Sequence, residues 1–180
     1  MSQNGFGREK IADGVYFSHV YDQKFYSNRI SINLVVPLAA ETAAEYAIVP
    51  SILRLGCRTC PDQTVLNRRL GLLYGASLDG GAASFGEMHV LSVFIKGIDK
   101  RVALHGENMA ALLGELLCDV VLDPLIEDSG FKAGYTEIEK NNLIDTIESE
   151  MNDKRVYAQN QCVSLLFGDS PRALRPYGTV

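Results

Sequence analysis

Several function classes are excluded by what this 180-residue sequence lacks. Lys and Arg number 17 against 22 Asp and Glu, and no basic cluster offsets the formal net charge of −5 or the isoelectric point near 5.2. A surface of that sign repels phosphate backbones, so nucleic acid is not an expected partner. No run reaches the roughly 20 apolar residues of a membrane span. The nearest candidates, Ile32 to Ala40 and Ala110 to Leu122, are short and broken by Pro37 or by Gly114, Glu115 and Asp119. The opening Met1 to Lys10 is polar and has no apolar stretch of a secretory signal behind it, which sets the expectation of a cytoplasmic protein.

Chemistry-bearing motifs are equally scarce. There is no G-x-S-x-G elbow, no P-loop and no G-x-G-x-x-G following a strand. The three histidines, His19, His89 and His105, are far apart, no two share a helical face, and each reads as a surface or hydrogen-bonded side chain. Of four cysteines only Cys57 and Cys60 are close, as a single C-x-x-C. A zinc site would want a second such pair or nearby histidines, so these read as ordinary half-buried thiols in a loop. Neither a metal nor another cofactor is expected.

What is present is an ordinary globular mixture, 47% apolar and 22% charged, with enough chain for one domain spanning 1–180. Gly14 to Val20 and Asn28 to Pro37 read as strands forming a meander or hairpin, the second with Ile30, Ile32, Leu34 and Val36 on one face. Ala40 to Leu55 favours helix, with Pro50 inside it and Gly56 as its stop. Thr64 to Tyr74 is a second helix. Strands Ser77 to Ala83 and Glu87 to Gly97 follow, then a helix through Met109, Leu113 and Leu117 that ends near Asp123-Pro124. Tyr135 to Met151 puts Ile144, Ile147 and Met151 on one stripe, with Glu137, Glu139, Glu148 and Glu150 as solvated charge. Arg155 to Phe167 is the last helix. The order predicts an α+β fold, helices over an antiparallel sheet.

The segment Val49-Pro50-Ser51-Ile52-Leu53-Arg54-Leu55-Gly56, followed by Leu72-Leu73-Tyr74-Gly75-Ala76, resembles the zinc-helix region of the insulinase, pitrilysin and mitochondrial-processing-peptidase family. The incoming strand, the Leu122-Asp123-Pro124-Leu125 turn and the Glu-Lys helix occur in the family's order. The resemblance implies the metallopeptidase (LuxS and processing-peptidase-like) fold, here as the N-terminal part of a longer protein. Active members carry H-x-x-E-H, in which histidines one turn apart bind zinc and the glutamate serves the metal-bound water as base. Aligned on the stretch ending at Gly56, the histidine positions fall on Ala47 and Ser51 and the base on Pro50. Alanine and proline offer no ligand atom, and serine is a poor one. The later glutamate ligand falls on Thr146, seven residues after Glu139; a register shift of two would place Glu148 there instead.

The resemblance therefore implies a catalytically inactive homologue, similar to the zinc-less YmfF-like bacterial subgroup. Such a chain would act as a non-catalytic subunit that pairs with a zinc-bearing peptidase sister, or with itself, and helps enclose a peptide. By the same resemblance Leu78, Asp79, Gly80, Gly81, Ala82 and Ala83 form the edge along which a peptide backbone would lie. Left open beside this are a metallopeptidase with an unrecognised metal site, a thiol-dependent enzyme using Cys57 and Cys60, and a structural homo-oligomeric domain.

Overall fold

The computed structural model describes residues 5–128 and 130–178. The polar opening folds into a hairpin of β1 (Gly5–Ala12) and β2 (Val15–Tyr21), closed at Asp13-Gly14 with Gly14 at φ 72°. An Asp-Gly pair supplies the left-handed conformations that a two-residue hairpin turn requires. This corrects the expected pairing of the first two strands read from the sequence. β2 folds back on β1, while β3 (Ser27–Pro37) pairs along its whole length with β5 (Met88–Ile98), from Ser27 opposite Ile98 to Pro37 opposite Met88. Arg101 holds the crossing between the two sheets, donating to the carbonyls of Gln23 and Phe25 while its Nε binds Asp99 Oδ1 at 2.6 Å.

β4 (Ser77–Phe85) completes a three-stranded antiparallel sheet in the order β3-β5-β4, so β5 is central and β4 lies at an edge. On one face of β5, His89, Leu91, Val93 and Ile95 alternate with half-buried or exposed residues, the period of two expected of a sheet covered on one side. Two helices cover that face, α1 (Ala43–Leu53) and α3 (Met109–Leu122). In α3, Leu113, Leu116, Leu117 and Val120 are fully buried, each contributing about 1.5–3 kcal/mol by leaving water. Between them comes α2 (Gln63–Leu72), whose start is capped by Asp62 accepting from the Val65 amide at 2.9 Å. The helices expected over 40–55, 64–74 and 155–167 all form, the first shorter at both ends.

After α3, the short strands β6 (Ile126–Glu127) and β7 (Gly130–Phe131), too short to show any periodicity in the sequence, lead into α4 (Ala133–Ser149). A 3-10 turn at Glu150–Asn152 connects α4 to α5 (Lys154–Phe167). Two expectations for α4 are overturned. Met151 is 70% exposed, so the apolar stripe ends before it, and Glu139 and Glu150 are buried rather than solvated. Glu150 is withdrawn because it anchors the tail: Asn160 Nδ2 and Tyr177 Oη donate to its two oxygens at 2.9 and 3.0 Å, and Arg175 pairs with it at 3.0 Å. Among the described residues no helix is long and apolar enough to cross a membrane.

Candidate functional site

α1 carries the positions that matter to the family's chemistry, and packing dictates what they do here. Ala47 and Pro50 are buried, and Ser51 is half-buried. Pro50 faces β4 directly: a Cβ built on Gly80 would lie 3.0 Å from Pro50 Cβ, 3.3 Å from its carbonyl oxygen and 2.8 Å from Ser92 O. α4 packs against α1, yet Thr146 is exposed and spends its hydroxyl on the Asn142 carbonyl at 2.8 Å. Glu148 is exposed as well. Among the described residues no three His, Cys, Asp or Glu side chains come together as a metal site. The zinc of active family members does not fit this donor set, since the helix offers a methyl group and a pyrrolidine ring where imidazole and carboxylate are needed.

The six edge residues Leu78 to Ala83 lie together in β4, which among the described residues pairs with β5 on one side only. Gly80 and Gly81, open to reading as a bend, sit inside a regular strand and differ in their surroundings. Gly80 is required by the close approach of α1, whereas a Cβ on Gly81 would meet nothing within 4 Å. One donor of the strand is already engaged: Asp79 Oδ1 accepts from the Gly80 amide at 2.8 Å and from Arg54 Nη1 at 3.3 Å.

One turn beyond Ser51, a cleft of about 340 Å³ opens between the end of α1, α2, the start of β4 and α4. Its lining includes Arg54, Leu66, Leu78, Tyr135 and Glu139. The sequence pointed to Leu78 for the edge and to Glu139 as a solvated charge that matches, by resemblance, the first of the family's two glutamates seven residues apart. The available signal was the i, i+3, i+4 spacing of Tyr135, Ile138 and Glu139, which shares one helical face.

The remaining candidates are structural. Cys57 and Cys60 are free thiols and fully buried, not half-buried. Their backbones exchange hydrogen bonds of 2.9 and 3.0 Å around Arg58-Thr59. Arg69 Nη1 reaches Thr59 Oγ1 and Asp119 Oδ2, both at 3.1 Å. Burial works against the Arg69 charge, but hydrogen bonds to Cys60 and Asp119 outweigh it and hold its pKa above the ordinary arginine value. His19 and His105 are exposed, as expected. His89 departs from expectation: it is fully buried beside Tyr46, and among the described residues neither ring nitrogen has a hydrogen-bond partner of normal geometry. Burial pushes its pKa below the ordinary histidine value, against a weaker opposing pull from the Pro176 backbone.

No family model matches the sequence. It is 24% identical over 161 residues to the probable inactive metalloprotease YmfF of Bacillus subtilis (strain 168), a match covering 89% of this chain and 38% of that protein. Its fold superposes on a conserved protein from Enterococcus faecalis V583 with a TM-score of 0.87 and 25% identity, over 97% of this chain and 41% of the other. The peptidase M16 inactive domain from Pseudomonas fluorescens follows with a TM-score of 0.65 and 17% identity, over 98% and 39%. The chain spans about two fifths of the length of each of these proteins. The sequence resemblance, the degenerate α1 positions and these likenesses agree: the chain is similar to a probable inactive metalloprotease, has the fold of a peptidase M16 inactive domain, and carries in α1 none of the donors of the zinc motif.

Proposed function

We propose that the chain belongs to a non-catalytic subunit, pairing with a zinc-bearing peptidase sister or with a second copy of itself, and that it holds a peptide along β4. The observation that carries this reading is the character of that edge. Among the described residues β4 has one strand neighbour, its residues from Gly80 to Ala83 have almost no side-chain bulk, and a cleft begins beside Leu78. Strand addition needs free backbone donors and acceptors with little in the way, and it needs no catalytic group. A cytoplasmic setting accords with four thiols of which none is cross-linked.

Hydrogen exchange on the purified protein with and without a mixture of extended peptides tests the edge. Slowed exchange of the β4 amides, with those of β3 at the opposite edge unchanged, is the expected result. Equal exchange in both states at saturating peptide would overturn the reading. Co-purification with a protein bearing an intact H-x-x-E-H tests the pairing separately.

A further inference from the structure

In the cleft beside Leu78, the Glu139 carboxylate and the Nε atom of Arg54 have no partner among the described residues. Glu139 is 7% exposed, and among the described residues its carboxylate has neither a hydrogen bond nor an ion pair. Arg54 lines the same cleft without reaching Glu139, and its Nε is buried with no acceptor. The Arg54 charge is matched by Asp79 at 3.3 Å, so the charge left over in the cleft is the negative one on Glu139. A carboxylate flanked by the fold yet left without a partner is a ready receptor for a cation, which it can bind through charge-assisted hydrogen bonds.

The rest of the lining says what shape of cation fits. Leu55, Leu66, Leu70 and Leu78 supply apolar wall, and Ile138, 55% exposed, lies near the mouth. Gln63, Asn67 and Tyr135 add neutral polar groups to the lining, and leucine wall beside one carboxylate suits a long aliphatic stem ending in positive charge, as in lysine or arginine. The unfilled Arg54 Nε suits a carbonyl oxygen of the same ligand. Leu78 is shared between cleft and edge, which lets a peptide lying along β4 turn one side chain inward.

We propose that this cleft is a specificity pocket for a lysine or arginine side chain of the bound peptide, with Glu139 receiving the charge and Arg54 Nε a backbone carbonyl. The proposal rests on the reading of β4 as a peptide edge, and its test separates the two. Fluorescent acetylated decapeptide libraries with a fixed central lysine, arginine or norleucine are titrated by anisotropy against the wild-type chain and Glu139→Gln. The basic libraries are expected to bind at least tenfold more tightly than norleucine, with the difference abolished in E139Q and the residual affinity kept. Equal binding of all three libraries to wild type overturns the pocket and leaves the edge intact. If no library binds, capped lysine (Nα-acetyl-lysine methylamide) is added alone. A rise in melting temperature for wild type but not for E139Q then upholds the pocket and overturns the edge, and no rise overturns both. E139Q itself is expected to melt no lower than wild type, because it removes an unpartnered charge. A marked drop would show that Glu139 serves the fold, and would overturn the assignment.

Discussion

Pro50 rests on Gly80, with only 3.0 Å between the proline Cβ and the place a side chain on Gly80 would begin. The helix that carries ligands in active family members is here pressed onto the edge strand, and the closeness is possible because the strand offers hydrogen where other residues carry carbon. Gly80→Ala would push against two backbone oxygens as well as the proline ring, and neither oxygen can rotate away. It should destabilise the fold by about 1–3 kcal/mol. Gly81→Ala, one residue on and facing open space, should lie within about 0.5 kcal/mol of wild type. Urea denaturation of the two variants checks the contrast, and equal effects would refute it.

The contrast also marks how far the sequence could be read. Helices and strands with clear periodicity emerged nearly in place, because β5 alternates on one covered face and α3 buries leucines a turn apart. β1 was missed although Asp13-Gly14 is a strong hairpin signal, since its residues are nearly all exposed and lack apolar alternation. The α1 positions were legible as degenerate because alanine and proline lack donors whatever surrounds them. Glu139 was not legible as part of a cleft. Its burial comes with the packing of α4 against α1, which arrives from far earlier in the chain, and a glutamate inside a charged helix gives no sign of that.

His89 should make stability depend on pH. Burial lowers its folded-state pKa beneath the unfolded value of about 6.5. The unfolded chain therefore binds the proton first, and stability is lost as pH falls from about 6.5 through the lower folded value. Above pH 7 this residue contributes no slope. Urea midpoints between pH 7.5 and 5 should fall for wild type and fall distinctly less for His89→Leu; parallel curves would show that the buried imidazole does not couple to folding.

Glu150 should be the strongest single tie on the tail after α5. It receives Asn160, Tyr177 and Arg175 together, and its side chain is 5% exposed while that of Arg175 is 25% exposed. Glu150→Ala leaves three donors facing a gap and should cost about 2–4 kcal/mol. Glu150→Gln keeps one acceptor oxygen and should cost less. Limited proteolysis should cut the Ala variant between Gly168 and Tyr177 well before wild type, and equal cleavage would show that the tail is held by other contacts.

The four thiols should divide into two pairs. Cys118 and Cys162 are exposed and should react at once with an aromatic disulfide reagent, while Cys57 and Cys60, 0% and 1% exposed, should wait for the turn to open. Arg69 is the lock on that turn, since one guanidinium nitrogen reaches Thr59, Cys60 and Asp119. The network is partly solvated, with side-chain exposures of 32% and 26% for Arg69 and Asp119, so its loss should weaken closure by about 1 kcal/mol. In Arg69→Ala the slow pair should therefore react roughly fivefold faster while the fast pair is unchanged. Four thiols reacting at one rate in the native protein would mean that the turn does not shield them and that Cys57 and Cys60 are open to chemistry.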